Sequence, residues 1–408
     1  MTLSLPPRIV ILGMMTRMPV AGNVWLVAQY LEGFRRLGCD VSYVEAHGIT
    51  PTKLMQTPQD DGSEQAARWL GGMMERFGFG DRWAYHALHD DGRCFGMSAS
   101  RLRELYRDAD IIINLHGGTV PLPEHSETGR LLYLETDPVE LEIELHDGDP
   151  AAIEFLAPHR SFATWGLNYG ADDCRVPLPP DLRYRHSPPP VILDFWEGAD
   201  GAAAERFTTI GNWRQPGRVV LDGETYFWSK HLEFRKFIKL PKLTTQRFEL
   251  ALSRSSMREG DLEKIERYGW SVRDALEVSI DIDTYRDYIL GSRGEFTVAK
   301  DQNVRLRSGW FSERSAQYLA AGRPVITQDT GFGSYLPTGE GLFPFTTMDE
   351  ILDAVERING DYDRHARAAR EIARTYLSYD VVLPKLLVDA WQPANGDEVR
   401  RYLAAQLA

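Results

Sequence analysis

The stretch that decides the fold is SGWFSERSAQYLAAGRPVITQDTG, residues 308–331. It predicts a loop, then a short helix capped by Ser312 and stopped by Gly322, and then a buried strand that begins at Pro324. Gly309 would let the backbone approach a ligand closely. The start of the helix offers unpaired N–H groups and the positive end of its dipole, which together favour a phosphate. An ordinary capped helix followed by a strand explains the same residues equally well.

The rest of the chain shows the same alternation of strands and helices. Ile9–Leu12 is a continuous apolar run, typical of a strand buried on both faces of a parallel sheet. Apolar residues then recur at the 3–4 spacing of a helix face between Val24 and Leu37. Further strands are predicted at 41–44, 111–115, 131–134, 162–165, 207–210, 248–252, 295–299 and 324–327, and helices at about 98–107, 226–239, 313–321, 348–358 and 361–376. Alternation of this kind predicts an α/β fold with doubly wound parallel sheets.

A change of composition divides the chain into two parts. Prolines cluster between residues 177 and 190, and a run of small residues, 198–204, follows them. At 408 residues the chain exceeds the size of a single growing core. The interdomain crossing is therefore predicted near residue 200, and 191–196 is predicted to be a strand or a packed linker.

The quoted stretch resembles the donor-site signature of GT-B glycosyltransferases, which ends in Ala-x-Gly-x-Pro-Val, here residues 320–325. The resemblance implies two Rossmann-like, doubly wound parallel-sheet domains that face a central cleft. Residues 1–200 would form the acceptor side, residues 201–378 the nucleotide-sugar donor side, and residues 379–408 a helical segment that packs back toward the first domain. Retaining members usually carry two glutamates eight residues apart, but the corresponding positions here are Gly309 and Gln317. Glu313 is the nearest carboxylate, so the resemblance leaves open whether the transfer retains or inverts the anomeric configuration.

Departure of a nucleoside diphosphate needs cations or N–H groups at the diphosphate. By resemblance, the loop at 207–214 contacts this group and Gly22-Asn23 corresponds to the glycine loop of the family. The predicted donor-binding residues are Gly22, Asn23, Asn212, Arg214, Lys300, Gly309, Ser312, Glu313, Gln317, Asp329, Thr330 and Gly331. Surface salt bridges, strand-end solvation and capping are the competing interpretations of Arg214, Lys300 and Asp329.

An inverting transfer also needs a base for the acceptor hydroxyl. His116 follows a predicted strand and precedes Gly117-Gly118, which leaves backbone room for a ligand. Asp137 also follows a strand, although Asp before Pro is a common turn former. His116 and Asp137 are therefore the predicted catalytic residues. A hydrogen-bonded structural histidine is the alternative for His116.

Composition excludes several classes of protein. A formal net charge of -13 argues against a protein that binds duplex nucleic acid, which needs a basic face. No apolar run is long enough to span a membrane, and the three cysteines have no metal-ligand or disulfide spacing. We therefore expect a cytoplasmic, metal-independent enzyme without a cofactor, whose partners are a nucleotide-sugar donor and an unidentified acceptor.

Three functions remain in view. The first is a glycosyltransferase. The second is a catalytically silent protein of the same fold that binds sugar nucleotides or glycans. The third is a different two-domain α/β enzyme, such as a sugar-nucleotide epimerase. That enzyme would release free nucleotide without glycosylating an acceptor.

Overall fold

The computed structural model describes residues 6–180, 182–198 and 204–390. The predicted crossing near residue 200 lies outside the described residues, as does the part of the predicted C-terminal segment after residue 390. Within the described ranges the chain forms two α/β units, each built on its own main sheet. The domain boundaries given above stay predictions.

The first main sheet has eight strands in the order β4-β3-β2-β1-β5-β6-β7-β8. They are β1 (Arg8–Leu12), β2 (Asp40–Ala46), β3 (Trp83–His86), β4 (Cys94–Phe95), β5 (Ile111–Leu115), β6 (Leu131–Glu135), β7 (Ser161–Thr164) and β8 (Tyr184–His186). All neighbours are parallel except the edge pair β3 and β4. The strands predicted from apolar runs in this half are confirmed, because each run is buried between helices on both faces.

Six helices cover this sheet: α1 (Ala21–Arg36), α2 (Gly62–Arg76), α3 (Ala99–Asp108), α4 (Pro123–Ser126), α5 (Glu140–His146) and α6 (Pro150–Leu156). The first of them begins earlier than its apolar periodicity suggests. Val20 is extended and serves as the N-cap. Gly22 and Asn23 therefore lie in the first turn of α1, whereas the sequence pattern placed Gly22 in the preceding loop.

The second main sheet is entirely parallel, and the chain forms a separate hairpin after its first strand. The strands are β9 (Arg206–Gly211), the hairpin β10 (Arg218–Leu221) and β11 (Glu224–Phe227), then β12 (Arg247–Leu252), β13 (Ser271–Asp274), β14 (Gly294–Thr297), β15 (Val325–Gln328) and β16 (Leu342–Phe345). Within the sheet their order is β13-β12-β9-β14-β15-β16.

The helices of the second half are α7 (His231–Lys236), α8 (Asp261–Arg267), α9 (Ala275–Ser279), α10 (Ile282–Leu290), α11 (Asp301–Arg305), α12 (Glu313–Ala320), α13 (Met348–Gly360), α14 (Tyr362–Ile372) and α15 (Tyr379–Ala390). Short 3-10 helices occupy Thr52–Leu54, Leu193–Trp196, Leu240–Lys242, Arg254–Ser256 and Phe332–Ser334, and a π-helical turn occupies Ala373–Leu377. Ser312 caps α12 through its side chain, as predicted. Among the described residues, no helix combines the length and apolarity needed to cross a membrane.

One predicted helix has the wrong bounds, and the segment predicted as a strand or a packed linker is a packed linker. The helix predicted over 226–239 is the end of the β10–β11 hairpin followed by the six-residue α7. The hairpin forms because Asp222 and Gly223 both adopt positive φ, 51° and 79°, as a two-residue turn between twisted strands requires. The segment 191–196 forms a 3-10 helix, Leu193–Trp196, preceded by a bridge between Val191 and Ser378.

Contacts between the two halves are extensive. The indole Nε1 of Trp25 in α1 donates to the carbonyl of Ile282, at the start of α10, over 2.8 Å. The last described helix, α15, also packs on α1. A Cβ on Gly33 would lie only 2.5 Å from Leu383 and 3.0 Å from Tyr379, so glycine permits this approach. The largest buried apolar cluster accordingly includes residues of both halves, such as Leu31 and Leu319.

Candidate functional site

The carboxyl ends of strands from both sheets meet in one place. Asp137 follows β6 of the first sheet, and Lys300 follows β14 of the second. The two side chains form an ion pair. Nearby, Gly166 and Trp310 form an isolated backbone bridge, and the Trp310 indole donates to the carbonyl of Thr136 over 3.0 Å. Since ligands of open α/β sheets bind at the carboxyl ends of strands, this junction is the candidate site.

Lys300 is buried and shares its surroundings with Trp228. Its Nζ lies 3.7 Å from the centroid of the Trp228 ring, and the indole Nε1 donates to Asp137 Oδ2 over 2.6 Å. Burial lowers the pKa of Lys300, and the neighbouring Asp137 carboxylate opposes that shift. Asp137 was predicted as a base, but its Oδ2 is already engaged by an ammonium and an indole. The Asp137 carboxylate is therefore placed to compensate the charge of Lys300.

Lys230 is a second buried lysine at this junction, and sequence reasoning missed it. It is 8% exposed, and its Nζ lies 5.4 Å from the centroid of the Trp310 ring. Burial and the charge of Arg314 lower the pKa of Lys230 from 10.5 to about 7, although Glu295 opposes the shift. Among the described residues, no side chain forms a hydrogen bond or an ion pair with Lys230. Asp222-Gly223 is a typical turn of a β-hairpin, and recognising it would have placed Lys230 just after the second strand of that hairpin.

The start of α12 borders the same junction. Ser312 Oγ accepts a hydrogen bond from the amide of Arg314 and lies 3.2 Å from Glu313 Oε2. The Arg314 guanidinium is buried. It pairs with Glu295 over 2.6 Å and donates to the carbonyl of Ile210, in β9, over 2.6 Å. These contacts fix the helix start relative to β9 and β14.

Four of the predicted donor residues have partners within the chain. Gly309 has φ +80°, and its close approach is to Asn168, because a Cβ there would lie 2.0 Å from the Asn168 amide nitrogen. Gly331 faces the same residue. Asp329 accepts the amide of Gly331 over 2.8 Å and pairs with an arginine, Arg307, over 3.0 Å. Thr330 Oγ1 donates to the carbonyl of Trp310 over 2.8 Å.

Arg214 forms a two-pronged ion pair with Asp261, with both N···O distances 2.8 Å. The hydrogen bond from Arg214 lowers the pKa of Asp261. The salt-bridge interpretation of Arg214 is therefore the one that the geometry favours. Asn212, two residues earlier, is exposed after β9.

Gly22 and Gln317 come together across the two sheets. A Cβ on Gly22 would lie 3.5 Å from the Tyr285 hydroxyl, which donates to Gln317 Oε1 over 3.0 Å. The other end of that amide, Gln317 Nε2, is buried, and no described residue forms a hydrogen bond with it. Asn23 stabilises the preceding loop by donating to the carbonyl of Met18 over 3.2 Å.

His116 adopts φ +67°, an uncommon conformation for a residue other than glycine. Its Nδ1 lies 2.7 Å from Thr136 Oγ1, whereas its Nε2 is buried and has no hydrogen-bond partner in the described part of the chain. Burial lowers the pKa of His116 to about 4, so the ring is neutral at neutral pH. Val139, two residues after Asp137, is also strained, with φ +104°. Strained residues of this kind cluster at functional sites.

Acid is expected to destabilise the protein well above the pH at which most carboxylates titrate. Burial lowers the pKa of His125 to about 3 and that of His159 to about 4, as it does for His116. The unfolded chain therefore binds more protons below pH 6.5, and stability falls as pH drops toward 4. The loss approaches about 1.4 kcal/mol per pH unit for each histidine. Urea unfolding at pH 7.0, 6.0 and 5.0 measures this slope.

His125→Asn is the matched variant for that slope, because its side-chain oxygen can still accept the amide of Leu122, which now donates to His125 Nδ1. It should flatten the slope by about the contribution of one group. An unchanged slope in the variant would mean that His125 titrates normally in the folded protein.

Among the described residues, no group of three or more histidine, cysteine or acidic side chains is arranged to hold a metal ion. The sequence matches no known protein-family model and no curated protein.

Solved structures do match. HepE from Anabaena in complex with UDP aligns over 93% of this chain and 98% of its own, with a TM-score of 0.53 and 12% identity. An alpha-glucosyltransferase in complex with UDP and DNA aligns over 94% and 99%, with a TM-score of 0.54 and 12% identity. A trehalose 6-phosphate synthase from Burkholderia multivorans aligns over 98% and 100%, with a TM-score of 0.52 and 12% identity. With its two facing parallel sheets, the chain has the GT-B fold of these glycosyltransferases.

Proposed function

We propose that the protein transfers a sugar from a nucleoside diphosphate sugar to the hydroxyl group of an acceptor. The diphosphate would bind Lys230, Lys300 and the start of α12. The observation that carries the proposal is Lys230, a buried lysine at the junction of the two sheets that forms no ion pair with any described residue.

A buried ammonium without a counter-charge is costly, and proteins retain one where a ligand supplies the charge. Lys230 forms no ion pair with any described residue, and Lys300, which pairs with Asp137, adds a second buried lysine. The positive end of the α12 dipole adds attraction for an anion, which the Glu313 carboxylate in the first turn partly offsets. Two lysines and a helix start suit a diphosphate leaving group, whose charge grows as the bond to the sugar breaks.

Solved structures of the same fold support the choice of ligand. HepE has been seen with UDP and with UDP-glucose. Identity to these proteins is 11–12%, so they support the fold and the class of donor but not a particular sugar.

His116 is the proposed base. With Nδ1 donating to Thr136, the neutral ring presents an unprotonated Nε2. The acceptor oxygen would bond to the anomeric carbon while the bond from that carbon to the diphosphate oxygen breaks. The hydroxyl proton passes to His116 Nε2, and the electrons of the broken bond leave with the diphosphate.

Lys230→Met is expected to separate ligand binding from stability. The variant removes a buried amino group that forms no ion pair with any described residue, so the melting temperature of the ligand-free protein should not fall. Nucleotide affinity should fall by about 1.5–3 kcal/mol, or roughly 10- to 150-fold, because a charge-assisted contact is lost. Thermal shift and calorimetry with UDP, GDP, TDP, ADP and their sugar conjugates measure both quantities.

Two controls sharpen the test. Lys264→Met removes an exposed lysine of α8 and should change neither quantity. His116→Ala should keep nucleotide binding but lose release of the nucleotide from its sugar conjugate in the presence of acceptor. If no nucleotide stabilises the wild-type protein, or if Lys230→Met leaves the nucleotide affinity unchanged, the proposed donor site is wrong. Binding without any turnover would instead favour a silent sugar-nucleotide-binding protein.

A further inference from the structure

The first sheet has its own ligand crevice. In the order β2-β1-β5-β6, the chain leaves β1 toward one edge of the sheet and leaves β5 toward the other. Such a reversal opens a crevice between the loops that follow the two strands. Arg17, in the loop after β1, crosses this crevice: its Nη1 donates to the carbonyl of Gly118, after β5, over 3.3 Å.

Arg17 is a partly buried cation without a carboxylate partner among the described residues. Glu45 contacts Thr16, the neighbour of Arg17, but the carboxylate oxygens of Glu45 are already occupied. Glu45 accepts from the backbone amide and the hydroxyl of Thr16, from the Tyr43 hydroxyl over 2.8 Å, and contacts His47 Nε2 at 3.0 Å. Of the five N–H donors of a guanidinium, Arg17 uses one on a neutral carbonyl, and no described residue accepts from the other four.

The start of α1 adds to this positive region. The 16-residue helix has no side-chain cap and no acidic residue in its first turn. Within the described chain, the amides of Ala21 and Gly22 donate to no acceptor. Tyr285, whose hydroxyl faces Gly22, holds Gln317 by its Oε1. Gln317 is only 1% exposed, and its Nε2 is buried without a partner among the described residues. Both features point to a polar or anionic ligand beside the helix start.

We propose that the acceptor carries an anionic group, a phosphate or a carboxylate, and that Arg17 binds it beside the start of α1. This inference rests on the proposed glycosyltransferase function. Gly118 lies two residues from His116, so their Cα atoms are within about 7.6 Å. A small molecule such as a sugar phosphate or a sugar acid spans this distance, with its anion at Arg17 and its hydroxyl at His116. The donor has its own cations, Lys230 and Lys300, on the opposite sheet.

The test uses the full chain saturated with UDP, so that the donor cations are occupied. The probes are inorganic phosphate, glucose 6-phosphate and glucuronate, with glucose as the neutral comparison, measured by calorimetry and thermal shift. We expect the anionic sugars to bind at least tenfold more tightly than glucose. Arg17→Ala should weaken their binding at least tenfold while changing UDP affinity less than twofold. Arg17→Lys should keep part of the effect, because the charge remains but the fork of donors is lost.

Arg68→Ala is the matched control, since Arg68 is an exposed arginine of α2 that donates to the neutral Gln65 side chain. It should leave every affinity unchanged. The inference is overturned if glucose binds as well as the anions, if no anion binds the UDP-saturated protein, or if Arg17→Ala weakens UDP and the anions alike. The last result would assign Arg17 to the donor. The anion measurements are repeated without UDP, so a failure of UDP binding contradicts the proposed function separately from the result at Arg17.

Discussion

Glu295→Gln is expected to lower the free energy of unfolding by about 3–5 kcal/mol, because it leaves a buried arginine without its counter-charge. Glu295 is 0% exposed in β14. Its Oε1 accepts from Arg314 over 2.6 Å, and its Oε2 accepts from the Ser315 hydroxyl over 2.5 Å. The variant keeps the shape of the side chain but removes the negative charge. Chemical unfolding of both proteins measures the difference.

The matched control is the exposed pair of Glu205 with Arg247, whose N···O distance is also 2.6 Å but whose side chains are each 65% exposed. Glu205→Gln should change stability little, because solvent screens such a pair. The double variant Glu295→Gln with Arg314→Met should recover part of the loss, since it removes the stranded charge. If both single variants lost the same stability, burial of the Glu295 pair would not be the cause.

Gly309→Ala is the second substitution with a large expected effect. An alanine at φ +80° is strained by about 1–2 kcal/mol, and its Cβ would also lie 2.0 Å from the Asn168 amide nitrogen. Relieving that clash requires the two loops to separate, which adds about 1–3 kcal/mol. The hydrogen bond from Leu167 to Gly309, 3.3 Å long, would be disturbed as well. Thermal and urea unfolding measure the loss of stability.

Gly170→Ala is the control for Gly309→Ala. Gly170 has nearly the same φ, +83°, but no atom lies within 4 Å of its added Cβ. It should show the backbone strain alone, so the difference between the variants reports the contact between the two loops. Gly309→Ala should also weaken nucleotide binding, because Trp310, beside Lys230, follows it directly. Equal losses in the two variants would contradict a tight contact at Asn168.

Most strands and helices could be predicted from the sequence, because they depend on local patterns of apolar and capping residues. The apolar runs at 111–115 and 131–134 are strands because both faces of a parallel sheet are buried, and this requirement is visible residue by residue. The cap at Ser312 and the stop at Gly322 are likewise local. The helix predicted over 226–239 was too long, because residues 226 and 227 pair with β10 in the hairpin and only His231–Lys236 is helical.

The residues of the site could be predicted only in part. Lys300 and His116 were identified because each follows an apolar strand, and strand ends converge in this fold. The partners of these residues could not be identified from the sequence, because Lys300 and Asp137, for example, lie 163 positions apart in the chain. Arg214 gave the same signal as Lys300, but it pairs with Asp261. Lys230 lies within the predicted helix, where nothing in the sequence marks it as a site residue. The ring that it faces belongs to Trp310, 80 positions later in the chain.

The sequence by itself determined the α/β alternation, the two-sheet architecture and the strand ends at which polar residues would gather, because periodicity and capping act between near neighbours. Only the tertiary structure decided which cations have counter-charges. That property depends on distance and burial between residues far apart in the chain, and it is what distinguishes Lys230 and Arg17 from Arg214.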